Sequence, residues 1–509
     1  METRSFWQFV WKDDQNRKIL FLALGLSAVS FLIFKLLYPY PDFFSDSYSY
    51  ISAASTGMDI SIWPIGYSKF LALFHALTYS DTAFVGFQYF FLQLAVIYFY
   101  FNVLYFYNTS ATTRKFLFVF LFINPLSLYL CNTINSDALF AALSVLWFTQ
   151  LIRVLYKPQI HQLFIQAILL FLCFSVRNNA YYYPLIAILA FLLSNQTWRV
   201  KIAGIILPFF LIIPFVIHTR NEAFKLTGTK QFSLFTGWQL ANNALYIYDQ
   251  IEVDSSKLPT PASKELNRMS VSFVAYYNSP DYRPFLESFV GNFFIKAPDA
   301  PLKQYYFRHF HNAKTEADYV ADWGKASAAF EPFGKYIILH HPIAYARYFM
   351  WPNTLHYFLP PLSHIEVYNY GENKIDPVAQ TWFHYPKPEV HCISHKLQGL
   401  LIAYEALFLL FNLYYLLQFI IYLRRGNITA SLANIHPSYW LTACFILLNF
   451  GFSVFATLNI LRYQIVPMLL LLTFGLLLSD YLEETVKQRK RKLQIDEPGK
   501  YITPIENHA

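Results

Sequence analysis

The chain has 509 residues, of which 56% are hydrophobic and only 14% are charged, whereas ordinary globular proteins contain roughly 25% charged residues. A water-soluble chain of this length could not bury so much apolar surface, so the composition excludes a soluble globular protein. The formal net charge is +8, and the basic residues collect in short loops and in the segment 486–492. They lack the interleaved aromatic residues of a nucleic-acid groove, which argues against nucleic acid as a partner.

Ten apolar segments are long enough to cross a hydrocarbon core of roughly 30 Å. We therefore predict an all-α polytopic membrane protein with about ten transmembrane helices. The first segment is too long for the apolar region of a signal peptide, so we expect it to remain in the protein. The predicted spans are 19–38, 82–106, 115–131, 138–156, 161–176, 181–196, 202–219, 398–422, 438–458 and 460–480.

Basic residues occupy every second connection between the predicted spans. Examples are Arg114 with Lys115, and Arg153 with Lys157. Because Lys and Arg are enriched in cytoplasmic loops, this alternation predicts that both termini are cytoplasmic. The C-terminal residues 502–509 carry no eukaryotic retention signal, so we expect the inner membrane of a bacterial cell.

The predicted spans divide the chain into four parts. Residues 1–219 form an N-terminal transmembrane module, which includes a first extracytoplasmic loop at 39–81. A soluble extracytoplasmic domain follows at 220–397, between spans seven and eight. The C-terminal transmembrane helices occupy 398–482, and residues 483–509 form a basic cytoplasmic tail.

The extracytoplasmic domain is predicted to be mostly helical. A Thr, a Pro in the first turn and an early Glu favour a helix at 260–277. The segment 301–323 also favours a helix, whereas strands remain an alternative at 225–255 and 362–390. The apolar stretch 336–351 contains two His, a Pro and an Arg, so we predict an interfacial or packed helix there rather than another span.

The first extracytoplasmic loop contains an amphipathic stretch at 65–78, "IGYSKFLALFHALT". Its apolar side chains fall on one helical face, while Ser68, Lys69 and His75 lie elsewhere. This pattern predicts a helix that lies in the plane of the membrane interface with its apolar side toward the lipid.

Five charged residues fall close to the outer membrane surface in this topology, namely Asp42, Asp46, Asp137, Arg177 and Arg462. Charge near the hydrocarbon boundary is costly unless it is paired or reaches water, and the two arginines oppose the usual distribution of positive charge. One interpretation is a set of structural ion pairs, with Asp46 also serving as a helix cap. The other is an extracytoplasmic cavity with acidic and basic walls.

The second interpretation suits a specific chemistry. Arginine binds phosphate through charge-assisted and often paired hydrogen bonds, and a nearby carboxylate can take the proton of an attacking hydroxyl. Together they favour displacement of a lipid phosphate leaving group by an alcohol. Asp42 and Asp46 would share a face if their segment were helical, but Pro41 and the neighbouring Ser residues favour a helix start near 43–46.

Several short motifs resemble the GT-C superfamily of integral-membrane glycosyltransferases, which use polyprenyl-phosphate sugars and include protein mannosyltransferase-like and aminoarabinose transferase-like members. The stretch "SDSYSYISAA" after the first span, followed by "WPIGYSKFLALFHAL", resembles their first extracytoplasmic loop. The stretch "NSDALFAALSVLWF" is similar to the acidic start of their fourth span. The stretches "SVRNNAYYYPLIAILAFLL" and "LRYQIVPMLLLL" resemble their basic turns.

The resemblance implies roles for individual residues. Asp46 would be the catalytic base, with Asp42 as the second candidate, and Arg177 and Arg462 would bind the donor phosphate. The remaining candidates would line the cavity, and they are Asp137, His75, Asn178 and Tyr463. The loop has no clear Asp-x-Asp motif, so no cofactor is assigned and a divalent metal remains an open alternative.

The predicted function is transfer of a sugar from a polyprenyl-phosphate or diphosphate carrier to an acceptor hydroxyl on the extracytoplasmic face, with inversion. The expected partners are the lipid-linked donor, membrane lipids, and a glycan, lipid or protein acceptor. One alternative is a transporter or flippase that uses the same charged cavity, although the span interiors are nearly free of charge. The other is a non-catalytic assembly scaffold.

Overall fold

The computed structural model describes residues 5–277, 291–310, 313–425, 436–456 and 458–496. Throughout these ranges the regular secondary structure is helical, and β-pairing is limited to two isolated bridges. The predicted all-α class is therefore confirmed. The segments 225–255 and 362–390, where strands remained an alternative, contain short helices and turns instead.

Eight helices in the described part of the chain are long and apolar enough to cross a membrane, which establishes a polytopic helical membrane protein. Their bounds match eight of the predicted spans to within a few residues at most ends. They are Asp14–Leu37, Asp81–Phe106, Ala111–Asn132, Ser136–Tyr156, Trp198–Thr227, Leu397–Arg424, Pro437–Ala456 and Ile465–Gln488.

Two further apolar helices, Ile160–Val176 and Asn178–Leu193, coincide with the predicted fifth and sixth spans. The first has 17 residues, and at 1.5 Å per residue it is about 25 Å long, shorter than a typical hydrocarbon core. The chain changes direction between them at Arg177, whose backbone is extended. The total of ten spans therefore remains a prediction.

The connections between helices gather at two opposite ends of the bundle. At one end the backbone N–H of Ser110 donates to Asp480 at 2.9 Å, and the side chain of Asn108 lies 3.2 Å from Glu484. At the other end lie the charged residues singled out above. This grouping agrees with the predicted alternation of helix direction, while the assignment of one end to the cytoplasm remains a prediction.

The segment between the candidate spans Trp198–Thr227 and Leu397–Arg424 is largely helical and contains a core of its own. We call it the outer domain, after its predicted location. The helices of this domain are Thr236–Leu245, Pro261–Tyr277, Phe293–Lys296, Pro301–His309, Glu316–His340, Pro342–Tyr345, Trp351–Phe358 and Pro377–Trp382. Trp238, Trp323 and Phe330 are buried at the centre. Helices Thr236–Leu245 and Glu316–His340 cross so closely that a Cβ on Gly237 would lie 1.8 Å from the carbonyl oxygen of Ser327.

Three predicted elements of this region have different bounds in the structure. The predicted helix 301–323 is two helices, because the chain leaves the first at Phe310 and the second begins with a capping box at Thr315. The stretch 336–351 breaks at His341 and Pro342, and it is not one of the candidate spans, as predicted. The helix that starts at Trp198 extends to Thr227, past the predicted domain boundary.

The amphipathic stretch of the first loop forms the helix Gly66–His75, and a further helix, Ser45–Ser55, precedes it. Tyr67 and Leu71 are buried against the bundle, whereas Leu73 is 69% exposed and Leu77 is 80% exposed. The exposed leucines are the apolar surface that the interfacial prediction requires. The membrane contact itself remains a prediction.

Candidate functional site

Asp46 lies in the first turn of helix Ser45–Ser55, directly after the chain leaves the first span. The cap of this helix is made by the side chain of Ser47, whose Oγ accepts the backbone N–H of Phe44 at 2.8 Å. Asp46 is therefore not the capping residue, although a carboxylate in the first turn is favoured by the helix dipole. Its side chain remains 24% exposed.

Asp137 lies in the first turn of the helix Ser136–Tyr156. It is the centre of a group of ion-paired residues that we call the charged cluster, namely Asp46, Asp137, Arg177 and Arg462. Its side chain is only 2% exposed, and each oxygen accepts a hydrogen bond from a different arginine. Arg177 donates to Oδ1, and Nη1 of Arg462 lies 2.9 Å from Oδ2. A buried carboxylate needs this kind of compensation, because an unpaired charge would be strongly destabilising.

The two arginines come from turns that separate apolar helices. Arg177 is in the extended break after Val176, and Arg462 is in the short turn Leu461–Tyr463. Nη2 of Arg462 lies 3.5 Å from Oδ2 of Asp46, so this guanidinium bridges two carboxylates. Burial lowers the pKa of Arg177, but Asp137 together with Tyr463 and Tyr50 outweighs this effect, and the pKa is raised.

Tyr463 holds the two guanidinium groups near each other. Its ring centroid is 4.4 Å from Arg177 Cζ and 5.1 Å from Arg462 Cζ, both within cation–π range. Arg177 also donates to Ser136 Oγ at 3.2 Å. Nε of Arg462 is buried and has no hydrogen-bond partner within the described residues, so the cluster retains one unused donor.

The cluster forms part of the wall of a cavity of about 700 Å³ between the helix bundle and the outer domain. Asp46, Arg177, Asn178, Arg462 and Tyr463 all line it, and Asp137 lies behind the two arginines. The structure therefore combines both interpretations of these charges. The charged residues form ion pairs with one another. Five of the predicted site residues, including Asp46 and both arginines, also face the cavity.

The outer domain contributes two lysines to the same cavity, Lys296 and Lys303. Among the lining residues in the described ranges, these two and the two arginines are basic, whereas Asp46 is the one acidic residue. Nζ of Lys296 lies 2.7 Å from Nε2 of His364, and burial lowers the pKa of His364 to about 3. The neutral imidazole therefore accepts the hydrogen bond from the ammonium group.

Sequence reasoning did not identify Lys296, Lys303 or His364. The two lysines are seven residues apart in separate short helices of the outer domain. No motif distinguishes them, and only the packing of this domain over the bundle brings them to the cavity.

Asp42 is not part of this cavity. It is 1% exposed, and its carboxylate accepts from the backbone N–H of Asn369 at 2.8 Å and from Nε2 of Gln398 at 3.3 Å. Burial raises its pKa to about 7. Because the helix begins only at Ser45, Asp42 and Asp46 do not share a helical face, and Asp42 instead attaches the chain around Asn369 to the first loop.

His75 also lies outside the cavity. Its ring stacks on Trp382 with centroids 3.7 Å apart, and its Nε2 is 2.9 Å from the carbonyl oxygen of Trp382. Asn178 does line the cavity, where its Oδ1 accepts a hydrogen bond from the hydroxyl of Tyr181 at 2.7 Å. The structure thus brings together six of the eight predicted residues and leaves Asp42 and His75 elsewhere.

Within the described ranges, no group of three or more His, Cys, Asp or Glu side chains could hold a metal ion. We therefore assign no metal ligands. Comparison of the chain with protein-family models, with curated proteins and with solved structures found no match in any of the three. The functional assignment must therefore be argued from the site itself.

Proposed function

We propose that this protein is a membrane glycosyltransferase of GT-C type, which transfers a sugar from a polyprenyl-phosphate or diphosphate carrier to an acceptor hydroxyl. The observation that carries the proposal is the convergence of Asp46, Asp137, Arg177 and Arg462 on one cavity. These residues come from four distant segments of the chain, each at the end of an apolar helix.

Asp46 is proposed as the general base. It is the one acidic side chain among the described residues that line the cavity, and it is the most exposed of the four clustered residues. Its ion pair with Arg462 is a long one, at 3.5 Å. A carboxylate with an accessible oxygen can accept the proton of a bound hydroxyl, which a sealed carboxylate such as Asp137 cannot do.

Arg177 and Arg462 are proposed to bind the phosphate of the donor. Both line the cavity and both are kept charged by Asp137 behind them. Preorganised cations of this kind stabilise the negative charge that grows on a leaving phosphate.

The dimensions of the cavity also support the proposal. Its volume of about 700 Å³ lies within the roughly 300–1,000 Å³ range of small-molecule sites, and it has room for a sugar phosphate head group. The cavity lies where the ends of the membrane helices meet the outer domain. A donor could therefore keep its isoprenoid chain in the bilayer while its head group enters the site.

The proposed reaction is a single displacement. The acceptor oxygen forms a bond to the anomeric carbon as the bond from that carbon to the phosphate oxygen breaks. The hydroxyl proton passes to Asp46, and the bonding electron pair leaves with the phosphate, which the arginines hold. Attack from the face opposite the phosphate inverts the anomeric configuration.

The test is an assay with the purified full chain in lipid nanodiscs and radiolabelled polyprenyl-phosphate and polyprenyl-diphosphate sugars, with bacterial membrane glycolipids as acceptors. We expect transfer by the wild type and a loss of about 10²–10⁴-fold in Asp46→Asn, the usual contribution of a general base. Asp59→Asn is the matched control, because Asp59 lies in the same loop but pairs with Lys69 at the surface.

Full turnover in Asp46→Asn would refute the assigned base. Movement of the intact donor across the bilayer of sealed proteoliposomes, with no sugar transferred, would favour the flippase alternative. A chain that neither transfers nor moves any of these donors would refute the proposed function.

A further inference from the structure

Lys303 differs from the other cations that line the cavity. Arg177 and Arg462 are paired with carboxylates, and Lys296 donates to His364. Lys303 has no hydrogen-bond or ion-pair partner in the described part of the chain, and its neighbours are aromatic rings. It is therefore a partly buried positive charge that the protein itself does not neutralise.

The side chains around Lys303 are aromatic. Its Nζ lies 4.8 Å from the ring centroid of Trp323 and 5.4 Å from that of Trp238. Trp323 stacks on Trp238 with centroids 4.1 Å apart, which fixes its ring. Phe235 and Tyr319 line the cavity beside them. We call Phe235, Lys303, Tyr319 and Trp323 the aromatic wall.

The aromatic wall and the charged cluster are separate parts of one cavity. Burial lowers the pKa of Lys296, while the nearby Asp46 raises it and Arg462 lowers it further. Burial alone lowers the pKa of Lys303. Lys303 takes no part in the ion pairs of the cluster. A ligand that occupies the whole cavity would meet cations in two places.

We propose that the aromatic wall binds a sugar that carries a negative charge, either a carboxylate or a phosphate, as the acceptor of the transfer. The proposal rests on the proposed function only in calling this sugar the acceptor. The apolar C–H face of a pyranose ring packs on a partly exposed aromatic ring, here that of Tyr319 or Phe235. The charged group pairs with Lys303 and supplies the anion that this ammonium lacks.

A purely structural role for Lys303 makes a different prediction. Cation–π contact with Trp323 and Trp238 stabilises the outer domain whether or not a ligand is present. In that case Lys303→Gln would lower the melting temperature without changing any binding preference. The discriminating measurement is therefore selectivity between charged and uncharged sugars, which a structural lysine does not control.

The experiment is equilibrium binding to the purified full chain in nanodiscs, without donor and without turnover. The radiolabelled probes are glucuronic acid, glucose 6-phosphate, methyl glucoside and inorganic phosphate. We expect at least one charged sugar to bind about 10-fold more tightly than methyl glucoside, which corresponds to roughly 1.4 kcal/mol. The comparison of glucuronic acid with glucose 6-phosphate tells which anionic group is preferred.

The variants test whether Lys303 is the cause of this preference. Lys303→Gln is expected to remove the difference between charged and uncharged sugars, and Lys303→Arg to retain it. Lys257→Gln is the matched control, because Lys257 lies at the surface of the same domain beside Asp254. Melting curves of each variant show whether the domain remains folded.

Three results would overturn the proposal. They are equal binding of charged and uncharged sugars, including no binding of either; a preference that Lys303→Gln does not change; and inorganic phosphate binding as tightly as glucose 6-phosphate. Because the assay needs no donor, a chain without transferase activity can still pass it. Conversely, transfer of sugar only to neutral acceptors would refute the acceptor role of the bound sugar.

Discussion

Asp42 and Asp46 are four residues apart, yet the structure gives them opposite environments. Asp42 is buried and its oxygens are occupied by a backbone N–H and a side-chain amide. Asp46 is partly exposed, faces a cavity and forms a long ion pair with Arg462. The difference arises because the helix begins at Ser45, so that Asp42 lies in extended chain and Asp46 in the first helical turn.

Asp137 adds a third environment to this comparison. It is as buried as Asp42, but its partners are two guanidinium groups rather than neutral donors. Asp42 is therefore a carboxyl group that burial makes less acidic, whereas Asp137 is an anion between two cations. A buried carboxylate can thus serve as an attachment point or as the counter-charge of a site, and its partners determine which.

The largest expected effect belongs to Asp137→Ala. Removal of this carboxylate leaves two buried arginines without their shared anion, which typically costs about 3–5 kcal/mol in the free energy of unfolding. Thermal unfolding of the detergent-solubilised protein should show a marked fall in melting temperature. Asp59→Ala removes an exposed ion pair and should change the stability by less than about 1 kcal/mol.

An equal response of the two variants would contradict the central position of Asp137. The charged cluster would then contribute no more to stability than a surface ion pair. The distinction drawn above between Asp137 and Asp42 would have no energetic basis.

The second prediction concerns the pH dependence that Asp42 imposes. Its pKa is raised from 3.8 to about 7 by burial, so the folded protein binds one more proton than the unfolded chain between these values. The free energy of unfolding should therefore fall as the pH rises from about 4 to 7, by no more than about 4 kcal/mol, and then level off. Melting temperatures measured from pH 5 to pH 8 test this.

Asp42→Asn is the diagnostic variant, because its amide oxygen can still accept the N–H of Asn369 but cannot ionise. We expect the variant to lose this part of the pH dependence and to be more stable than the wild type at pH 8. Identical pH profiles for the two proteins would show that Asp42 is not protonated in the folded state near neutral pH.

Much of the fold was predictable because membrane spans have a strong sequence signal. Long apolar runs predicted all eight candidate spans, and most ends agree within a few residues. The positions of Arg177 and Arg462 in turns between apolar helices were also predictable, since charged residues interrupt those runs. These signals are local, so they do not depend on how the helices pack.

The division of roles between Asp42 and Asp46 was only partly predictable. Pro41 and the nearby Ser residues indicated a late helix start, but the partners of Asp42 come from Asn369 and Gln398, more than three hundred residues away. The same limit applies to His75, which binds the carbonyl of Trp382. Long-range packing decides these contacts, and one sequence carries no signal for it.

The smallest expected effect on stability is that of Asp46→Asn. Its carboxylate is 24% exposed and lies 3.5 Å from Arg462, which remains paired with Asp137 at 2.9 Å after the substitution. We therefore expect the melting temperature to change by an amount equivalent to less than about 1 kcal/mol. The same preparation of Asp46→Asn would serve for this measurement and for the transfer assay.

This small effect is what gives the transfer assay its meaning. If Asp46→Asn unfolds as readily as Asp137→Ala, Asp46 is a structural anion and a loss of transfer would report only damage to the site. If Asp46→Asn melts like the wild type and loses transfer, the loss belongs to the carboxylate that faces the cavity. The buried Asp42 would then serve stability, whereas Asp46, four residues later in the same loop, would serve catalysis.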